Sequence, residues 1–165
     1  RQRHFPAINW LNSYSLYPPS LDQWYRDNIK CEYPEIRTQI SSLLQVEAEL
    51  QEIVQLVGSD ALPVDQQLTL EVARMIREFF LQQNAFHDVD TYSDLKLQYT
   101  MAKAILSFQE ESKKALAGGS ALEDVVNVPA RTDLMRGRFE SGYEDRIEEM
   151  LDDMSKQIAD TMETD

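Results

Sequence analysis

The sequence has little of what builds a disulfide framework, a metal centre or a phosphate-binding loop. Its 165 residues include one cysteine, two histidines and five glycines. The single cysteine, Cys31, excludes an internal disulfide and a thiolate cluster, and favours a reducing, cytosolic setting. No run approaches the ~20 apolar residues of a membrane-spanning helix, and no secretory signal follows the N-terminus. We therefore expect a soluble protein with no direct membrane insertion.

Positive charge is also scarce. There are 16 Lys and Arg residues against 29 Asp and Glu, which gives a formal net charge of −13. Nucleic acids and anionic membrane surfaces bind clustered Lys and Arg, so we expect neither as the main partner. Residues 144–165 hold nine acidic and two basic residues, a net charge of −7. Such a run is typical of a solvated helix face.

The apolar residues recur every three or four positions and nowhere alternate over a useful length. This pattern predicts an all-α helical bundle with little or no sheet. A cap-like Ser20 begins a short helix that is predicted to end near Lys30. Pro34 and Gly58 then bound a long helix, because proline suits a first helical turn and glycine a C-terminal stop. Two short helices are predicted around Pro129.

Three further helices are predicted from spacing alone. One follows the turn after Gly58 and ends near Asn84, and the next begins at about Ser93 and ends before Gly118. The last helix has five apolar residues on one face: Ile147, Leu151, Met154, Ile158 and Met162. This stripe is typical either of core packing or of contact with a partner helix.

The N-terminal residues lack a helical pattern. The chain opens with RQRHFP, without an initiator methionine or a helix cap, and Pro18 and Pro19 close this stretch as an extended break. We divide the chain into a lead-in segment, 1–19, and a helical bundle domain, 20–165. The abrupt start leads us to interpret the chain as a piece of a longer protein.

Catalytic and metal sites are hard to place from the residues. Residues 81–92, LQQNAFHDVDTY, include His87, two carboxylates on either side of Val89 and two aromatics. A metal site needs three or more converging ligands, and the other histidine, His4, is distant in sequence. No nucleophile is positioned beside His87 either. We assign no catalytic residue and no metal ligand, although a metal-dependent hydrolase around His87 stays an alternative to a loop-holding histidine.

A phosphate-binding loop is also missing. Gly137 and Gly142 have the right separation, but Tyr143 and Glu144 follow them in place of Lys and Ser or Thr. We interpret these glycines as a helix break. Taken alone, the residue pattern indicates an acidic helical domain, with a stand-alone adaptor that binds a partner as one hypothesis.

Four ordered segments carry a more specific signal. They are RHFPAINWLNSYSLY (3–17), GSDALP (58–63), LTLEVARMIR (68–77) and FLQQNAFHDVDTY (80–92). Together they resemble the C-terminal part of the catalytic A subunit of archaeal A-type and vacuolar V-type ATPases. The same order is similar, more distantly, to the catalytic beta subunit of F-type ATP synthases. Residues 17–57 and those after 118 match loosely.

This resemblance implies a rotary motor. Three A and three B subunits would alternate in a ring around a coiled-coil central stalk, in a cytoplasmic head peripheral to the membrane. ATP synthesis or hydrolysis, with ATP or ADP and Mg²⁺, would be coupled to transport of H⁺ or Na⁺. The phosphate loop and metal ligands would lie in upstream domains. The fragment alone is therefore expected to bind no nucleotide tightly and to turn over no ATP.

The resemblance also implies roles for single residues. Phe86 would pack on the adenine base, Gln83, Asn84 and Ala85 would line the pocket, and Tyr92 would be a second wall. Aromatic stacking suits a flat base. The alternative is that Phe86 and Tyr92 are ordinary core aromatics at a helix corner.

The loop from 58 to 67 resembles the stalk-facing lever of the family. Asp60, Leu62 and Pro63 are the residues expected to contact the stalk. The loop has fewer acidic residues than the beta-subunit counterpart, so an apolar contact through Leu62 and Pro63 is favoured over an electrostatic one. A simple solvent-exposed turn is the alternative.

Overall fold

A computed structural model describes residues 20–28, 30–80, 95–137 and 143–162, and every regular element in these ranges is helical. The helices are α1 (Ser20–Asn28), α2 (Tyr33–Val57), α3 (Val64–Phe80), α4 (Leu95–Ala117), α5 (Leu122–Val126), α6 (Pro129–Gly137) and α7 (Tyr143–Asp160). A 3-10 turn, Ser59–Ala61, separates α2 from α3. The predicted all-α fold is confirmed. The proposed lead-in, 1–19, lies outside the described residues.

Helix α2 begins and ends where the sequence predicts. Pro34 occupies its first turn, where the missing N–H costs no intrahelical hydrogen bond. At the other end Gly58 has φ 87° and ψ 160°, a conformation that favours glycine, and its N–H donates to the carbonyl of Val54 at 2.9 Å. Between them Ile36, Ile40 and other apolar residues face the core at helical spacing.

Helix α4 is the centre of the bundle and packs against α2, α3, α5 and α7. Met101, Ile105 and Phe108 on this helix are completely buried, as are Leu68 and Val72 on α3. Burying a large apolar side chain stabilises a fold by about 1.5–3 kcal/mol. The contact between α3 and α4 therefore supplies a large part of the core.

Helices α5 and α6 confirm the prediction of two short helices around Pro129. Arg131 of α6 joins them to the rest of the bundle. Its Nη1 donates to the carbonyl of Val126 at 2.8 Å, and its Nη2 donates to Oε2 of Glu71 on α3, also at 2.8 Å. The guanidinium carbon lies 5.7 Å from the ring centroid of Phe108 on α4. One side chain thus contacts α3, α4 and α5.

Helix α7 places most of its apolar stripe in the core. Ile147, Met154 and Ile158 are buried and Leu151 is half-buried, on a helix that packs against α4 and α6. Met162 lies beyond the end of α7 and is 42% exposed. The first four positions of the stripe therefore pack inside the domain, and Met162 lies at its edge with its sulfur close to Gly118.

The face of α7 opposite the apolar stripe is polar. Glu148, Glu149, Asp152 and Asp153 are all exposed. The interpretation of the acidic run as a solvated helix face is confirmed for these residues. Among the described helices, none is long and apolar enough to cross a membrane.

A cluster of tyrosines joins α1, α2 and α4. The ring of Tyr33 lies 4.9 Å from that of Tyr25 and 6.1 Å from that of Tyr99, measured between centroids, and all three side chains are buried. The Tyr99 hydroxyl donates to Oε2 of Glu32 at 3.2 Å. Burial raises the pKa of Tyr99, and the nearby ammonium of Lys103 opposes that shift.

A buried carboxylate links α2 and α3. The side chain of Glu47 is 2% exposed and pairs with Nη2 of Arg77, whose side chain is 23% exposed. Nε2 of Gln51 also donates to Glu47, at 3.4 Å. The charge of Glu47 is therefore neutralised and hydrogen-bonded where it is removed from water, as burial of a carboxylate requires.

Candidate functional site

The residues assigned to adenine by resemblance lie between α3 and α4, outside the described residues. They are Gln83, Asn84, Ala85, Phe86 and Tyr92. His87 and its neighbouring aspartates fall in the same segment. The adenine contact and the alternative metal hypothesis both remain predictions.

The structure does describe the two helices that flank this segment. Helix α3 ends at Phe80 and α4 begins at Leu95. Phe79 is 5% exposed and Tyr99 is 8% exposed, so each helix is anchored in the core within one or two turns of the segment. The helices on either side of residues 81–94 are thus both packed in the core.

The predicted stalk-contact loop is a tight corner between α2 and α3. Within it the N–H of Leu62 donates to the carbonyl of Ser59 at 3.1 Å, and Nε2 of Gln67 donates to the carbonyl of Leu62 at 2.8 Å. The N–H of Gln66 donates to the carbonyl of Pro63 at 2.9 Å, which starts α3. These bonds close the turn with groups from the loop and from α3.

The three predicted contact residues differ in exposure. Asp60 and Pro63 are exposed, and Oγ of Ser59 donates to Oδ1 of Asp60 at 3.2 Å. Leu62 is 7% exposed and belongs to the packed interior of the corner. The structure therefore brings all three to one corner but offers only Asp60 and Pro63 to the solvent.

Exposed apolar side chains surround this corner. We call Ile53, Leu56, Val57 and Val64 the corner patch, and their side chains are 44%, 85%, 60% and 48% exposed. Helical spacing alone groups Ile53 and Val57 with the core residues of α2. The sequence signal that distinguishes them is the density of apolar residues in IVQLV, 53–57, which exceeds what one buried face of a helix can use.

Titratable side chains form no metal centre in the described part of the molecule. Within residues 20–28, 30–80, 95–137 and 143–162, no group of three or more His, Cys, Asp or Glu side chains could hold a metal ion. Cys31 is exposed, and its carbonyl accepts a hydrogen bond from Nη1 of Arg26 at 2.7 Å.

Comparison with known proteins decides the family. The model of the C-terminal domain of V and A type ATP synthase matches residues 22–126. The chain belongs to this family. That result confirms the resemblance drawn from the four sequence segments.

Individual relatives match more of the chain than residues 22–126. The chain is 53% identical over 157 residues to the A subunit of the A-type ATP synthase of Natronomonas pharaonis, which covers 95% of the chain and 27% of the relative. It is 48% identical to the corresponding subunit of Methanosarcina barkeri, with 96% of the chain and 28% of the relative covered. It is 47% identical to V-type ATP synthase alpha chain 1 of Clostridium tetani, with 98% and 27% covered. The chain thus spans about a quarter of the length of these relatives.

Proposed function

We propose that this domain is the C-terminal part of a catalytic A subunit that makes or hydrolyses ATP in a rotary ATPase. The observation that carries the proposal is identity of about one half along 95% of the chain to proteins named as the A subunit of an A-type ATP synthase. The intact protein would use ATP or ADP with Mg²⁺. It would alternate with B subunits in a ring around a central stalk, in a cytoplasmic head coupled to transport of H⁺ or Na⁺.

The proposed contribution to nucleotide binding is part of the adenine pocket. Phe86 would stack on the base, with Gln83, Asn84, Ala85 and Tyr92 around it. The support is the segment itself, an aromatic with two amides and a small residue, held between helices that are anchored in the core. The phosphates and Mg²⁺ would bind upstream domains, so residues 1–165 alone are expected to release no phosphate from ATP above a denatured control.

The adenine role is tested in the intact subunit with Phe86→Ala and Phe86→Leu. Loss of base stacking is expected to weaken nucleotide binding by about 1–3 kcal/mol, roughly 5-fold to 150-fold. Leucine retains apolar volume without a ring, so both variants are expected to weaken nucleotide binding. Phe86→Trp keeps an aromatic ring and is expected to retain nucleotide binding. The measurement is nucleotide affinity by calorimetry, with thermal unfolding of each variant alongside.

The alternative role of Phe86 gives a different result. If Phe86 is a core aromatic, Phe86→Ala lowers the unfolding temperature strongly while the nucleotide affinity of the folded fraction stays unchanged. Unchanged affinity in a folded Phe86→Leu variant would remove Phe86 from the pocket. The family assignment of the domain would be unaffected.

The second proposed contribution is an apolar contact to the central stalk through the corner between α2 and α3. Pro63 and the corner patch support it, because a tight turn rimmed by exposed aliphatic side chains is costly in water unless another surface covers it. Asp60 would lie at the rim of this contact. Leu62 would hold the turn in place from inside the domain.

The stalk contact is tested in the reconstituted A and B assembly with Leu56→Asp. A buried carboxylate at the interface is expected to weaken binding of purified stalk subunits at least tenfold. Val46→Asp is the matched control, because Val46 is also on α2 and 44% exposed but lies ten residues from Leu56. Equal effects of both variants, or no effect of Leu56→Asp, would exclude the corner patch.

A further inference from the structure

A cleft of about 430 Å³ lies between the C-terminal half of α3 and the pair α5 and α6. Glu78, Asn127, Arg131, Met135 and Arg136 are among the residues that line it. The volume falls within the range of small ligand-binding pockets. None of its described lining residues belongs to the corner patch.

Arg131 forms a fixed wall of the cleft. Its side chain is 15% exposed and holds Glu71 and the carbonyl of Val126 at 2.8 Å each. The charge of Arg131 is therefore offset by Glu71 inside the fold. Its hydrogen bonds orient it toward the protein, so it shapes the cleft and is not the group that receives a ligand.

Arg136 differs from Arg131 in this respect. It lies in the last turn of α6 and is exposed. In the described part of the chain, no ion pair or hydrogen bond joins its guanidinium to another residue. Glu78, on the other side of the cleft, lies 3.5 Å from Nε of Arg74. Arg136 is thus the cation in the cleft whose charge is available to a ligand.

Two physical arguments fix the class of ligand. The available guanidinium carries one positive charge, which matches a singly charged carboxylate, whereas a doubly charged phosphate would meet too little positive charge. The chain as a whole has a net charge of −13, which repels free anions. A bound carboxylate therefore needs further contacts, and the thioether side chain of Met135 and the amide of Asn127 provide them.

We propose that this cleft receives an acidic side chain of a partner polypeptide. The carboxylate pairs with Arg136, and an apolar residue next to it packs on Met135. A single solvent-accessible ion pair contributes little on its own, so the apolar neighbour is required for measurable binding. This inference depends on neither the adenine role nor the stalk contact.

The test uses the full 165-residue chain, labelled for nuclear magnetic resonance, and a blocked pentapeptide of alternating leucine and glutamate. Saturable shifts are expected in backbone amides of residues 122–137. The same peptide with glutamine in place of glutamate is expected to bind at least tenfold more weakly. Arg136→Gln is expected to weaken glutamate-peptide binding at least tenfold, and its spectrum reports whether the variant is folded.

Lys113→Gln is the matched control, because it removes one exposed positive charge of α4 that does not line the cleft. It is expected to leave binding unchanged. Equal binding of the glutamine peptide, no effect of Arg136→Gln, or no saturable shift would each overturn the proposal. Inorganic phosphate is titrated separately as a probe of simple anion binding. Shifts in the same amides at concentrations similar to those of the glutamate peptide would indicate a simple anion site and would also overturn the proposal.

Discussion

At the scale of single residues, Glu47 combines near-complete burial with a formal charge. A carboxylate that is 2% exposed needs partners that replace its lost water, and Arg77 and Gln51 are two of them. A buried ion pair is weak evidence for stability, since apolar residues of the same size can do as well. We expect its main effect to be on which helices face each other, because Arg77 on α3 supplies the charge that opposes Glu47 on α2.

Removing one partner of this pair tests that view. Glu47→Gln is expected to lower the free energy of unfolding by about 2–3 kcal/mol, because Arg77 then loses its counter-charge in a partly buried place. The double variant Glu47→Leu, Arg77→Leu is expected to be less destabilised than the two single leucine variants combined. Urea unfolding measures both. Glu49→Gln, an exposed change on the same helix, is the control and is expected to have an effect below about 0.5 kcal/mol.

Tyr99 gives a prediction at high pH. Burial raises its pKa in the folded protein, so the unfolded chain loses this proton first. The contribution of Tyr99 to stability is therefore complete below about pH 10 and declines as the pH rises above that value. Absorbance titration of ionised tyrosine in the native and urea-unfolded protein is expected to show that Tyr99 ionises later in the folded state.

Tyr99→Phe is the control for this titration. The late native group is expected to disappear in this variant, and the loss of stability above about pH 10 is expected to become smaller. A late group that persists in Tyr99→Phe would assign it to another tyrosine. The interpretation of the buried Tyr99 hydroxyl would then be wrong.

Residue partners of this kind could not be predicted from the sequence. Helical spacing shows that a position faces inward, but it does not identify a partner on another helix. Glu47 and Arg77 are 30 positions apart, and Arg131 and Glu71 are 60 apart. The adenine residues follow from resemblance of a contiguous segment instead, and they remain predictions.

At the scale of elements, prediction succeeded where the signals were local. Pro34, Gly58 and Pro129 each act on the backbone within one turn, so the limits of α2 and the division between α5 and α6 were predicted closely. The exposed end of α2 was harder. Ile53 and Val57 continue the apolar spacing, and only packing shows that no described helix covers them.

Gly58 ends α2, and its backbone conformation directs the chain into the turn toward α3. Its φ of 87° with ψ of 160° is accessible almost only to glycine. Gly58→Ala is therefore expected to cost about 1–3 kcal/mol in the free energy of unfolding, although a Cβ there would meet nothing within 4 Å. The cause is backbone strain and not a clash.

Urea unfolding of Gly58→Ala measures the cost. Ala61→Gly is the matched control, since it alters the same exposed turn without a positive φ and is expected to cost less than about 1 kcal/mol. A Gly58→Ala variant as stable as the parent would mean that the corner adopts another conformation at little cost. The geometry of the stalk-contact proposal would then need revision.

At the scale of the whole molecule, negative charges far outnumber positive ones. A net charge of −13 repels itself, and the exposed face of α7 holds several of the carboxylates concerned. Raising the salt concentration from about 10 mM to about 150 mM shortens the screening length from about 30 Å to about 8 Å. We expect the thermal unfolding temperature to rise over this range.

A triple variant, Glu148→Gln, Glu149→Gln and Asp152→Asn, tests the origin of that rise. It removes three negative charges of α7 with little change in side-chain size. It is expected to unfold at a higher temperature than the parent in low salt and to respond less to added salt. An unchanged salt response, measured by calorimetry, would show that self-repulsion along α7 is negligible.

The contacts of Arg131 have a mechanical consequence. A load applied to α6 is passed at once to α3 through Glu71, to α5 through the carbonyl of Val126 and to α4 through the ring of Phe108. Displacing α3, α4 or α5 relative to α6 would then disturb one of these contacts of Arg131. Under an applied torque, Arg131 would therefore transmit part of the load on α6 to α3, α4 and α5, so that these helices resist the torque together.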